Sequence, residues 1–99
     1  MADQVLVEVG AETTKFQFPN GNTWEINNKP KWKHIRNTTG ATTLEIDEEI
    51  LIRLTIKWSY PEPVTVESLP EMDIVDVGTV IQAVRQLVTP LLEALPKKI

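Results

Sequence analysis

The N-terminal third of the chain alternates between apolar and polar residues with the period of a β-strand. Three short runs show this pattern, at residues 5–9, 14–18 and 24–26. A period of two residues is typical of strands that bury one face and expose the other. The pattern therefore predicts an antiparallel β-hairpin region over residues 1–28, with the valines of the first run facing inward.

The turn between the second and third runs decides which side chains share a face. A two-residue Asn20-Gly21 turn would place Phe16 and Trp24 on opposite faces, because a shift of one residue inverts every side chain. A three-residue loop over 19–21 pairs Phe16 with Trp24 and puts the large residues together. Gly21 suits the left-handed position that ends such a loop. The sequence therefore predicts the three-residue loop.

A short helix is predicted next, over residues 29–41. Pro30 is well placed in a first helical turn, since the N–H that it lacks has no partner there. Helical spacing would turn Trp32 and Ile35 inward. Gly40 then provides a residue that ends helices.

The segment 42–60 carries two conflicting signals. Apolar residues recur at every second position from Ile50 to Trp58, and their β-branched character favours a strand. A helix would gather part of the set on one face but leave Ile52 and Ile56 outside it. Periodicity alone favours the strand, and the helix remains the alternative.

The C-terminal segment, residues 65–96, has the spacing of helices. From Asp73 onward, apolar residues recur at alternating intervals of three and four, which is typical of an amphipathic helix. Pro90 cannot donate a backbone hydrogen bond, so we expect the helix to kink or restart there with Thr89 as its cap. Together with the hairpin, these elements predict an α+β fold: one domain over residues 1–99, with an N-terminal antiparallel sheet packed against C-terminal helices.

Composition narrows the classes of function. The 99 residues carry a formal net charge of −4 and no cysteine, so disulfides and thiolate metal sites are excluded. The N-terminus lacks the basic and apolar regions of a signal peptide, and no apolar run approaches the length of a membrane span. We therefore expect a protein of the cytoplasm with no membrane partner.

Candidate catalytic residues are scarce. The single histidine, His34, lies among Lys31, Lys33 and Arg36, which would lower its pKa and favour an exposed helical residue without a catalytic role. Glycine-rich phosphate loops are absent, and local motifs assemble no nucleophile with its base. The sequence therefore predicts no enzyme, no cofactor and no metal.

One basic stretch contains an aromatic residue and could stack on single-stranded nucleic acid. Its members are Lys29, Lys31, Trp32, Lys33 and Arg36. The acidic net charge of the chain opposes this interpretation, and the simpler one is a solvated face with Trp32 in the core. We therefore expect no nucleic-acid partner.

The apolar stripe of the last helix is the strongest functional signal in the residues themselves. It continues past Pro90, near the terminus, where it is hardest to cover, and an exposed apolar stripe marks a protein-binding surface. The alternative is that the whole stripe packs against the hairpin. The predicted partner-binding residues are Val84, Leu87, Val88, Leu91, Leu92 and Leu95.

Three stretches resemble the tail assembly chaperones of long-tailed bacteriophages. The first is the Phe-Pro-Asn-Gly turn of residues 18–21, followed by a short polar helix. The second, residues 54–69, is similar to the family's apolar segment ending in Trp-Ser, with a proline-containing loop and Thr-x-Glu-x-Leu after it. The third, residues 69–76, resembles the leucine and aspartate pattern before the family's final helix.

The resemblance implies a protein that binds the tape-measure protein and helps tail-tube protein subunits polymerise around it during tail assembly in the host bacterial cytoplasm. It also implies that residues 50–58 are helical, against the periodicity. The resemblance also implies that the protein performs no catalysis, and it is compatible with a homo-oligomer. The second hypothesis is a small structural subunit of a phage tail, neck or baseplate, which would pair with its neighbours through the edge of the hairpin.

Overall fold

A computed structural model describes residues 4–93 of the chain, with side chains through Pro90. Its four strands form one antiparallel sheet in which each strand pairs with the next one along the chain. A short 3-10 helix, Val66–Glu71, precedes the last helix. The bounds of the other elements are β1 Leu6–Val9, β2 Thr13–Gln17, β3 Thr23–Asn27, α1 Trp32–Ile35, α2 Thr43–Leu54, β4 Thr55–Trp58 and α3 Ile74–Glu93.

The hairpin of β2 and β3 has the predicted register. Phe16 lies opposite Trp24, and both are buried. The turn is closed by the Gly21 N–H, which donates to the Phe18 carbonyl at 2.9 Å. Gly21 has a φ of 91°, a left-handed conformation that suits glycine. The three-residue loop is confirmed.

One face of the sheet packs against α2 and α3 and encloses the core, which confirms the α+β class. The shared property of the core residues is burial of their apolar side chains between these two layers. They are Phe16, Phe18, Trp24, Ile26, Ile35, Ile50, Leu51, Leu54, Leu69, Val80, Ile81, Val84 and Val88. Among residues 4–93, no helix is both long enough and apolar enough to cross a bilayer.

The segment predicted as one strand divides into a helix and a strand. Helix α2 runs to Leu54, and only Thr55–Trp58 forms β4, so the strand prediction is wrong for residues 50–54. Ile50, Leu51 and Leu54 are buried, a helical spacing that periodicity did not favour. The Thr42 hydroxyl accepts the Glu45 N–H at 3.1 Å and starts the helix.

The helix predicted over residues 29–41 is shorter than expected. Helix α1 covers only Trp32–Ile35, after Lys31, and Gly40 does not end it. Ile35 is buried as predicted, but the prediction for Trp32 is wrong, since that side chain is 56% exposed. The prediction for His34 is wrong as well, because it is buried.

Side chains of α2 explain why α1 ends early. The Arg53 guanidinium donates to the carbonyls of His34, Arg36 and Asn37, and these bonds take the place of further helical turns. Asn37 adopts a left-handed φ of 56° at this point. After Ile35 the backbone therefore runs beside α2 and does not continue the helix.

Helix α3 continues through Pro90 to Glu93, so of the two predicted outcomes, a kink or a restart, the restart with Thr89 as cap is wrong. The Thr89 hydroxyl donates to the Arg85 carbonyl at 2.7 Å, one turn earlier, and thus does not cap a new helix. At the other end, the Asp73 carboxylate accepts the Val75 N–H at 2.8 Å. This bond supplies the N-terminal cap of α3.

Candidate protein-binding groove

Strand β1 is one of the two edge strands of the sheet and exposes apolar side chains on both faces. Leu6, Val7 and Val9 are 56%, 52% and 72% exposed. The prediction of a half-buried first strand is therefore wrong for Val7 and Val9, which were expected to face inward, whereas the exposure of Leu6 agrees with it. Natural sheets protect their edges with charges, prolines or bulges, because an open edge invites pairing with another chain. Strand β1 has only Glu8 for this purpose.

Val7 and Val9 face the same side of the sheet as the core. They lie opposite Phe16 and Thr14 in the β1–β2 pairing, and those two residues are buried. Helix α3 does not cover the two valines, although it packs on the neighbouring strands. The result is an apolar strip of sheet beside a helix.

A groove of about 570 Å³ occupies the space between β1 and α3. Its floor contains the core side chains Phe16 and Ile26, and β1 contributes Val7 and Val9. From α3 the groove receives the residues at one helical face, namely Thr79, Gln82, Ala83, Gln86 and Leu87. A volume of this size is within the range of ligand-binding clefts, and its lining is mainly apolar.

Polar groups lie at one end of the groove. The Asn28 side-chain N–H₂ donates to the Gly10 carbonyl at 3.0 Å and to the Thr14 hydroxyl at 3.1 Å. Its Oδ1 is buried and accepts no hydrogen bond from the described residues. Lys29 lines the same end and is exposed. This end therefore offers an acceptor and a cation beside an apolar floor.

A buried carboxylate fixes the start of α3 to the sheet. Asp76 is 3% exposed, and its Oδ2 accepts hydrogen bonds from the Tyr60 hydroxyl at 2.6 Å and from Asn20 Nδ2 at 2.8 Å. Burial and the neighbouring Asp76 raise the pKa of Tyr60 above its ordinary value, so the phenol stays protonated. These bonds hold the beginning of α3 on the hairpin loop.

The predicted partner-binding residues of α3 separate into three groups. Val84 and Val88 are 1% and 4% exposed and belong to the core, which corrects their assignment to a binding surface. Leu87 is partly buried and lines the groove. The side chains of Leu91 and Leu92 lie outside the described residues, and so does Leu95 as a whole.

Two further titratable side chains, His34 and Glu49, form hydrogen bonds that stabilise the fold around α1 and α2. His34 Nδ1 accepts the Lys31 N–H at 2.8 Å, and burial together with Lys33 lowers its pKa. The Glu49 carboxylate accepts the N–H groups of Thr39 and Gly40, and these bonds lower its pKa. Within residues 4–93, no cluster of three or more metal-ligating side chains occurs.

No protein-family model, no curated protein and no solved structure matches this chain. A functional proposal for it therefore depends on its own residues. Among these, the groove combines exposed apolar side chains, an open strand edge and an unpaired acceptor.

Sequence reasoning missed the contribution of β1 to this groove. The signal was present, because Val5, Leu6 and Val7 are apolar at successive positions. A strand buried on one face and solvated on the other would have a polar residue at position 6. Leu6 is apolar instead, and it is 56% exposed on the face away from the groove, so the sequence indicated only that β1 carries more apolar residues than a half-buried strand needs.

Proposed function

We propose that this chain is a tail assembly chaperone that binds an apolar segment of the phage tape-measure protein in the groove between β1 and α3. The single observation that carries the proposal is the open apolar groove beside an unprotected strand edge. The similarity of residues 18–21 and 54–76 to that family gives the client class. We place the activity in the host bacterial cytoplasm, without catalysis.

The geometry favours a client that enters as an extended strand. The outer edge of β1 has free backbone donors and acceptors, and an added strand would hydrogen-bond to them. Every second side chain of that strand would then turn toward the groove, as Val7 and Val9 do. Covering these apolar residues would also protect an aggregation-prone client from other contacts.

Co-expression tests the proposal. The full chain is produced together with a phage tape-measure protein, sought as a very long helical reading frame among the neighbours of its gene, and the soluble and co-purifying fractions of that protein are measured. Val9→Asp places a charge in the groove at a position that is 72% exposed, so the fold tolerates it. Burial of a valine is worth about 1.5 kcal/mol or more, so we expect binding at least tenfold weaker.

Leu6→Asp is the matched control. Leu6 is on the same strand and is 56% exposed, but its side chain points to the opposite face of the sheet. We expect Leu6→Asp to bind the client nearly as well as the native chain. Equal binding by native, Leu6→Asp and Val9→Asp proteins would refute the groove as the client site, and the absence of co-purification by the native chain would refute the chaperone function.

The open edge of β1 also favours the second candidate, a small structural subunit of a phage tail, neck or baseplate. Here β1 would pair with a neighbouring subunit in the finished particle. Mass spectrometry of purified particles separates the two functions. A chaperone is absent or sparse, whereas a structural subunit is present in stoichiometric copies.

A further inference from the structure

Trp32 is displayed on the surface in the middle of a basic segment. The side chain is 56% exposed, whereas Trp24 is fully buried and Trp58 is packed against the core. A tryptophan on a short helix would ordinarily bury its large ring, because that burial stabilises the fold. The simpler interpretation of the sequence placed Trp32 in the core, and the exposure of its side chain contradicts that interpretation.

The charged residues that flank Trp32 in the sequence are all cationic. Residues 26–44 contain four cationic side chains and no carboxylate, a local charge of +4 in a chain of −4, so the remainder carries −8. The ion pairs formed by the described residues are Lys57–Glu25 and Arg85–Asp47, and neither involves the segment. The four exposed cations are Lys29, Lys31, Lys33 and Arg36.

Hydrogen bonds and one buried side chain fix the backbone of this segment. Arg53 donates to the carbonyls of His34, Arg36 and Asn37, and His34 Nδ1 accepts the Lys31 N–H. Ile35 is buried beneath it. An ordered backbone means that a ligand would not have to order this surface when it binds.

We propose that Trp32 and the cations around it form a binding site for single-stranded nucleic acid, with a base stacked on the indole and the phosphates near Lys29, Lys31 and Lys33. An aromatic platform within a basic surface is the arrangement that binds single strands without sequence preference. Lys29 and Lys31 are two residues apart, so their Cα atoms lie at most about 7 Å from each other, which allows contacts to successive phosphates.

Stacking is what favours a single strand over the other polyanions. A duplex hides the faces of its bases, so Trp32 would contribute nothing to its binding. An acidic polypeptide would satisfy the lysines but offers no ring of matching size at each anionic group. The site depends on α1 and the preceding loop, and of the residues named for it only Lys29 also lines the groove.

Fluorescence anisotropy of a labelled oligothymidine of about 15 nucleotides measures the affinity of the full chain, and quenching of tryptophan emission reports stacking. We expect the logarithm of the association constant to fall linearly with the logarithm of the salt concentration. The slope should be about −2 to −3, as three or four phosphate contacts require. Trp32→Ala should weaken binding at least about fivefold, and Trp32→Phe should retain most of it. Lys31→Gln should reduce the slope by about 0.7.

Lys57→Gln is the matched control, because Lys57 is an exposed lysine on β4 whose removal should leave the affinity unchanged. All these side chains are exposed, and circular dichroism confirms that the variants fold. Failure of the native chain to bind the oligothymidine, or undiminished binding by Trp32→Ala, would overturn the proposal. Equal binding of a polyglutamate peptide or of duplex DNA of the same length would also overturn it, in favour of an unspecific anion surface. None of these results depends on client binding in the groove.

Discussion

Replacing Tyr60 by phenylalanine should destabilise the fold through the loss of one hydrogen bond. The Tyr60 hydroxyl donates to the buried Asp76 carboxylate at 2.6 Å, and the tyrosine ring packs edge-on against Trp24 and Trp58. A phenylalanine ring fills the same space and keeps both aromatic contacts. The substitution therefore removes the donor and little else.

The charge of the acceptor, the Asp76 carboxylate, determines how much free energy of unfolding is lost. A hydrogen bond to a charged group contributes about 1.5–3 kcal/mol, and the half-buried Tyr60 hydroxyl places this bond toward the lower value. Asp76 still accepts from Asn20 Nδ2, so the carboxylate is not left alone. We expect a loss of about 1.5 kcal/mol in the free energy of unfolding. For a domain of this size, that corresponds to a melting temperature lower by about 6–12 °C.

Urea denaturation followed by tryptophan fluorescence measures the difference, since Trp24 lies in the core and Trp58 packs against it. The midpoint should fall while the slope m stays constant, because the surface exposed on unfolding does not change. Asp76→Asn and the double variant complete a mutant cycle. Its coupling energy should be about 1 kcal/mol or more if the two side chains interact directly.

A Tyr60→Phe protein within about 0.5 kcal/mol of the native stability would refute this reasoning, because surface changes of no structural importance have effects of that size. A coupling energy near zero would refute it as well. In either case the placement of α3 on the hairpin loop would have to depend on the apolar contacts of Val80 and Val84 instead.

Two further predictions concern glycine and histidine. Gly40→Ala should lower the free energy of unfolding by about 1–3 kcal/mol, since a Cβ there would lie 2.7 Å from Glu45 Cβ and 2.9 Å from the Glu45 backbone carbon. Gly78 lies inside α3 with open space around it. Gly78→Ala should therefore raise the free energy of unfolding by about 1 kcal/mol in the same denaturation assay. Because burial lowers the pKa of His34 below 6.5, the unfolded chain binds a proton more readily, and stability should fall as the pH decreases below 6.5. A His34→Gln protein should show a smaller fall over this range, and an unchanged fall would contradict the assignment.

The hairpin was predictable because its register had only one consistent solution. Phe16 and Trp24 had to share a face, and only a loop of three residues ending at Gly21 allowed this. Local turn chemistry and long-range packing agreed at this point. Where such agreement exists, a single sequence is sufficient to predict strand pairing.

Residues 50–58 were harder because both predictions were partly correct. The alternation from Ile50 to Trp58 continues across the junction of α2 and β4, which hides the change of structure at Thr55. The Thr55 hydroxyl donates to the Leu51 carbonyl at 2.7 Å and accepts the Trp24 indole N–H at 3.0 Å. Both bonds involve partners that periodicity does not consider, and tertiary contacts determined the boundary.

The same limit explains the exposed Trp32 and, with it, the site proposed for a single-stranded ligand. Helical spacing put Trp32 and Ile35 on one inner face, but that argument needs a helix long enough to have such a face. Arg53, 13 residues beyond Gly40, donates to the carbonyls that a longer α1 would have used. A helix of four residues buries Ile35 and His34 and leaves Trp32 outside. An arginine on α2 thus accounts for the exposure of a tryptophan 21 positions earlier in the chain.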